Sequence, residues 1–296
     1  FSRWIETSCR FFNTLVDRIV PGYPAEEAKS LTQSLGYEDE LLDTGEIFHL
    51  WVLEGDSNVS KELPFTEAGL NVLWTNDLQP YRTRKVRILN GAHTMSVLAA
   101  YQYGKDTVLE AVEDDVIGQF MRRGIFEEII PTLELPEKEK LDFAAKVLER
   151  FQNPFIKHYL LTISLNSVSK FKVRVLPSLL EYIALKKKVP AVLAFSLAAL
   201  ITFYRGKPDE AGKYLGDRAG RPYEIKDSPE HLQFFSRQWQ AHSGDLSALC
   251  RQILSNQDMW GLDLSAIVGL EGKVSSYVRT IVEAGMQSAL RKMAGA

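Results

Sequence analysis

Cysteine is nearly absent from this 296-residue chain: Cys9 and Cys250 are its only two, and neither belongs to a CxxC pair or a Cys/His ladder. That disfavours a disulfide framework and a structural zinc site, and it fits a reducing, cytoplasmic setting. An excess of positive charge is also lacking. With 35 Lys and Arg against 38 Asp and Glu the chain carries −3, so no general field gathers nucleic acid and any anion site must be local. The most apolar run, Val189 to Tyr204, is interrupted by Pro190, Ser196 and Thr202 and falls short of the roughly 20 residues a membrane span needs. It reads as a buried helix, with no membrane partner expected. Among His49, His93, His158, His231 and His242 no two stand at metal-ligand spacing, so no metal is expected. No Gly-x-Gly-x-x-Gly turn follows a strand, which leaves out the pyrophosphate cradle of a dinucleotide fold. The chain opens on Phe1, and FSRWIETSCRFF has no basic segment followed by an apolar one, so it is not a secretion signal. The expectation is a chain that begins within a longer protein.

What is present is ordinary globular material, 45% hydrophobic and 25% charged, at a length that buries about three quarters of the unfolded surface. After residue 80 apolar residues recur at three- and four-residue spacing in Leu141 to Phe151, Phe155 to Leu165, Val175 to Leu185 and Ala191 to Tyr204, which predicts helices burying one face. Prolines at 131, 136, 154, 177 and 190 sit at or near their ends, where a missing N–H costs least. Before residue 80, Ile47 to Leu53 and Leu70 to Thr75 are short, β-branched and aromatic, and bounded by glycines or Asn-Asp. They predict two strands of a small sheet. The glycine- and charge-rich run Arg205 to Pro229 predicts an exposed insertion. The expected class is mainly α, a multi-helical domain with a small β element near the N-terminus.

The segment Tyr81 to Tyr101, YRTRKVRILNGAHTMSVLAAY, concentrates the chemistry. A helix capped by Thr83 and starting at Arg84 carries Asn90 to about 140° and His93 to about 80° from Lys85, so lysine, amide and imidazole share one side. Lys85 then lies in the first turn, where the helix dipole and Arg82, Arg84 and Arg87 favour release of its proton. The plainer alternative is a solvated basic helix start, a semi-buried histidine and a turn at Asn90-Gly91. Spacing by itself does not choose between the two.

A resemblance adds to this. NGAHT (Asn90 to Thr94) after Lys85, with FFNTLVDRIVPGYP (Phe11 to Pro24), resembles the long-chain mannitol dehydrogenase family of polyol and sugar-acid dehydrogenases. FHLWVLEG (48–55), EEIIP (127–131), RFQNPFIKH (150–158) and SKFKVRVLP (169–177) continue the likeness over most of the chain. It departs at Cys9, where an aliphatic residue is usual. The resemblance implies that residues 81–296 form the helical substrate and catalytic domain, similar to the C-terminal domain of 6-phosphogluconate and mannitol dehydrogenases. Residues 1–80 would be the C-terminal edge of the dinucleotide-binding domain with a connecting β element. It implies NAD as cofactor, with the N-terminal NAD-binding domain itself missing from this chain.

The implied chemistry is reduction of a small sugar acid, a keto-uronate such as tagaturonate going to altronate, without metal. Lys85 would be the acid/base, Asn13 and Asn90 the oxyanion donors, and His93, Lys170, Arg82 and His158 the substrate contacts. Polyol-oxidising relatives carry acidic residues where Arg82 and Gly55 stand here. Exchanging two carboxylates for a guanidinium suits a substrate that is itself a carboxylate. The alternatives are fructuronate or mannitol as substrate, or a helical binding module without chemistry.

Overall fold

A computed structural model describes residues 1–294 and divides into two compact units, Phe1–Lys85 and Val86–Ala296. The first unit is built on a three-stranded sheet. Strand β1 (Thr14–Asp17) runs antiparallel to β2 (Leu50–Glu54), and β2 runs parallel to β3 (Val72–Thr75). The parallel pair requires a crossover, which here carries the short helix Ser57–Glu62, its N-terminus capped by the Asp56 carboxylate. Val52 and Leu53 form the buried centre of the sheet. The two expected strands are present; β1 was not foreseen, because its four residues offer too short a pattern to read.

In the second unit, helices Gly91–Tyr103 and Ala191–Phe203 are buried at every residue but one each. A helix apolar on all sides belongs at the centre of a domain. The C-terminal helix Leu270–Ala294 packs on both, interrupted at Gly285, whose φ of 80° a glycine adopts without penalty. Amphipathic helices Glu137–Phe151, Ser167–Arg174, Leu176–Lys186, Pro229–His242 and Leu246–Leu254 complete the unit. Among the described residues no helix is long and apolar enough to cross a membrane, and no group of three or more His, Cys, Asp or Glu side chains is placed to hold a metal.

Two expectations need correction. Phe155 to Leu165 is not one helix: only Leu160–Ile163 is helical, and Phe155 is exposed. Its backbone bonds go elsewhere, with Val108 N–H donating to the His158 carbonyl and Leu160 N–H to that of Asp106. Arg205 to Pro229 is not a plain exposed insertion either. It folds into a sheet of β4 (Lys207–Pro208), β5 (Tyr214–Arg218) and β6 (Arg221–Glu224). Tyr223 anchors it, donating from its buried hydroxyl to the Phe203 carbonyl at 2.8 Å, and Arg218 lies 4.1 Å over the Tyr101 ring.

Candidate active site

The helical run bearing Lys85 begins earlier than expected. Helix Gln79–Arg84 starts after Leu78 with Pro80 in its first turn, Lys85–Asn90 form a π-helical turn, and Gly91–Tyr103 follow as α-helix. Thr83 therefore caps nothing, Lys85 is not in a first turn, and the dipole argument for its acidity falls away. The π turn bonds i to i+5, so the α-helical rotation that set Lys85, Asn90 and His93 on one side does not apply either. Such turns are uncommon and recur at functional sites. Lys85 and Asn90, its two ends, are half-buried.

In the second unit the structure brings together His93, His158 and Lys170. The His93 ring is buried and stacks on Phe151 with centroids 4.1 Å apart, and the His158 ring meets its edge at 5.1 Å. Burial and then the Lys170 charge push His158 down to about 4, so it is neutral at physiological pH. Lys170 donates from Nζ to the Ile163 carbonyl at 2.9 Å. Burial first, and Arg174 second, lower its pKa. Lys170 and Arg174 stand on helix Ser167–Arg174, entered through Asn166 in the left-handed conformation and tied at Val168 N–H to Asp227. The C-terminus of that helix comes so near Gly91 that a Cβ there would lie 3.3 Å from the Arg174 carbonyl oxygen.

In the first unit, Asn13 donates from Nδ2 to Glu54 Oε2 at 2.6 Å, and the Leu78 N–H donates to Glu54 Oε1 at 3.0 Å. The Asn13 bond foremost, then the Leu78 N–H, hold the Glu54 carboxyl below its usual range, and the charge of exposed Arg82 adds to this. Sequence reasoning passed over Glu54, Phe151 and Thr94, and weighed Arg174 only as a rival to Arg82, with Lys172, for anchoring a carboxylate. The signal for Arg174 is its four-residue spacing from Lys170, which places both on one helix face. A cavity of about 1050 Å³ lies elsewhere in the second unit, lined by Gln102, Arg205, Arg218 and the Gly285 break. None of the expected site residues lines it, and the side-chain cluster is the stronger guide to chemistry.

The family described as mannitol dehydrogenase C-terminal domain matches residues 77–282, and the mannitol dehydrogenase Rossmann domain matches residues 1–67. The chain belongs to the mannitol dehydrogenase family. Its similar relatives include altronate oxidoreductases of Halalkalibacterium halodurans, 45% identical over 98% of this chain and 57% of that protein, and of Bacillus subtilis, 44% identical over 99% and 57%. Among solved structures, Pseudomonas fluorescens mannitol 2-dehydrogenase in a ternary complex with NAD and D-mannitol superposes with a TM-score of 0.78. It is 23% identical, over 98% of this chain and 56% of that one. A D-sorbitol dehydrogenase in substrate-free form gives 0.72 at 25% identity, with the same coverage. The chain thus spans somewhat over half the length of the curated relatives it matches.

The Rossmann match corrects the expectation that this domain is missing. Strands β1 and β2 lie within the matched residues 1–67, so part of a mannitol dehydrogenase Rossmann domain is in the chain. The glycine-rich turn belongs to the first βα unit of such a fold, and its absence speaks for that unit alone.

Proposed function

We propose that this chain carries the substrate-handling part of an NAD-dependent oxidoreductase that reduces a keto-uronate, tagaturonate, to altronate. The observation that carries the reading is the 43–45% identity to altronate oxidoreductases over nearly the whole chain. The cationic and imidazole cluster around His93 suits a polyhydroxylated acid. The chain has no glycine-rich phosphate turn, so no residue of it is assigned to the dinucleotide. NAD supplies hydride exchange when bound.

In this reading Lys85 gives a proton to the alkoxide oxygen formed on reduction and takes it back in the reverse direction. The Asn90 and Asn13 amides donate to that oxygen, and such donors in a preorganised site act strongly on a developing charge. His93 and His158 address substrate hydroxyls; a neutral imidazole can both donate and accept. Lys170 supplies positive charge to the acid. The test is an assay of the full-length protein with NADH against tagaturonate, fructuronate and fructose. Preferred turnover of tagaturonate supports the assignment. Preference for fructuronate or fructose moves it to those substrates, and no turnover of any of them favours a binding module.

A further inference from the structure

Helix Ser167–Arg174 sets Lys170 and Arg174 on one face, about 40° apart in rotation. Lys172 points to the other side, where its Cε would lie 3.3 Å from a Cβ at Gly261. Resting on the keto-uronate reading above, we propose that Arg174, with Lys170 beside it, is the residue that holds the substrate carboxylate and so separates sugar acids from neutral sugars.

Both cations are partly buried, and among the described residues neither makes an ion pair. Lys170 bonds to a backbone carbonyl, and Arg174 reaches only the Thr94 hydroxyl, at 3.5 Å. The carboxylate nearest in effect, Asp227, is already occupied: it accepts from the Tyr204 hydroxyl, His231 and the Val168 and Ser228 N–H groups. Burial lowers the pKa of Arg174, and burial plus Arg174 lower that of Lys170. Two adjacent cations taken out of water without an anion are a standing cost, which an incoming carboxylate offsets. The planar guanidinium fork matches a carboxylate bidentately, as an ammonium does not.

The position suits the role. The Arg174 carbonyl abuts Gly91, next to Asn90, and its guanidinium ends at Thr94, next to His93. In an open-chain keto-uronate the ketone and the carboxylate are separated by hydroxylated carbons, so the anchor must stand apart from the reacting carbonyl yet beside the groups that address hydroxyls. Arg82, the residue first expected in this role, is exposed and its charge already acts on Glu54.

The experiment compares full-length wild type with Arg174→Met and Arg174→Lys, measuring kcat/KM for tagaturonate and for the neutral ketose tagatose, with calorimetric titration of altronate and thermal melts as folding controls. Arg174→Met should lower the tagaturonate-to-tagatose ratio of kcat/KM by about 10- to 100-fold, mainly through KM, and weaken altronate binding alike. Arg174→Lys should recover part of the ratio; if the methionine variant does not fold, the lysine variant should still lose several-fold. Equal losses on both substrates, or an unchanged ratio, would overturn the inference while leaving the keto-uronate reading intact. A wild type that neither reduces tagaturonate nor binds altronate would instead defeat that reading, and this inference with it.

Discussion

Asn13 and Glu54 are locked to each other across the β1–β2 pair: the side-chain amide donates to the carboxylate at 2.6 Å, and the Glu54 N–H donates to the Asn13 carbonyl at 3.0 Å. One of the two amide hydrogens of Asn13 is thereby aimed at the carboxylate, and in the proposed mechanism the other addresses the substrate oxygen. Glu54→Gln keeps the size but removes the charge that orders this amide. In the full-length protein it should lower kcat roughly tenfold with KM little changed, less than the 10²- to 10³-fold loss of an oxyanion donor itself. Because the Glu54 pKa is lowered, the charged contact stands above the ordinary carboxylate range and is lost only as pH falls through the lowered value. The wild-type kcat should therefore hold through mildly acidic pH as far as Glu54 governs it. A Glu54→Gln enzyme with unchanged kcat would show that the contact is purely structural.

His158 gives a pH signature in stability. Its folded pKa of about 4 lies below the ordinary histidine value of 6.5, so the unfolded chain binds the proton first as pH drops. Stability from this residue is present above pH 6.5 and is lost as pH falls toward 4, by up to about 3 kcal/mol from the size of the shift. Denaturant unfolding at pH 7 and pH 4.5 should show this fall in the wild type, and His158→Gln should flatten it by a comparable amount. An identical fall in both proteins would assign the acid sensitivity to other groups.

Three helices were legible because apolar residues recur along them and no competing partner takes their backbone. Helices expected at Leu141 to Phe151, Val175 to Leu185 and Ala191 to Tyr204 appear at Glu137–Phe151, Leu176–Lys186 and Ala191–Phe203. Phe155 to Leu165 has a similar pattern, but long-range bonds to the segment around Thr107 captured its backbone, and periodicity does not register that competition. Nor does it register a π turn, which depends on how Lys85–Asn90 pack rather than on which residues they are. At the site, spacing left Lys85, Asn90 and His93 ambiguous, and resemblance singled them out. The stacking of His93 on Phe151 and the edge contact of His158 with His93 arise from contacts between segments far apart in sequence, which one sequence does not reveal.

Glu128 shows how tightly the core is tied. Its buried carboxylate accepts the N–H groups of Ala191, Val192 and Leu193 at 2.7, 3.0 and 2.9 Å. It thus closes the N-terminus of the central helix Ala191–Phe203, which Pro190 leaves without a side-chain cap. Glu128→Ala strands these donors in a dry environment and should lower the unfolding free energy by roughly 3 kcal/mol, read from denaturant midpoints at constant slope. A loss within experimental error would mean that water enters to replace the carboxylate.

Lys85 carries the most direct test of the chemistry. Proton transfer by a placed side chain contributes about 10²- to 10⁴-fold to a rate, and an interaction made chiefly in the transition state is lost from kcat rather than from KM. Lys85→Ala in the full-length protein should therefore lower kcat for tagaturonate by about that range while KM changes little. Lys85→Arg should not restore it, because a guanidinium keeps its proton at any working pH. A small primary amine added to the alanine variant should restore part of the rate, with a pH dependence that follows the pKa of the amine, which a merely structural lysine would not produce. The substitution falls in a π turn, so a melting curve must show that the fold is kept; given that, full turnover by Lys85→Ala would remove Lys85 from the mechanism and leave the proton to another group.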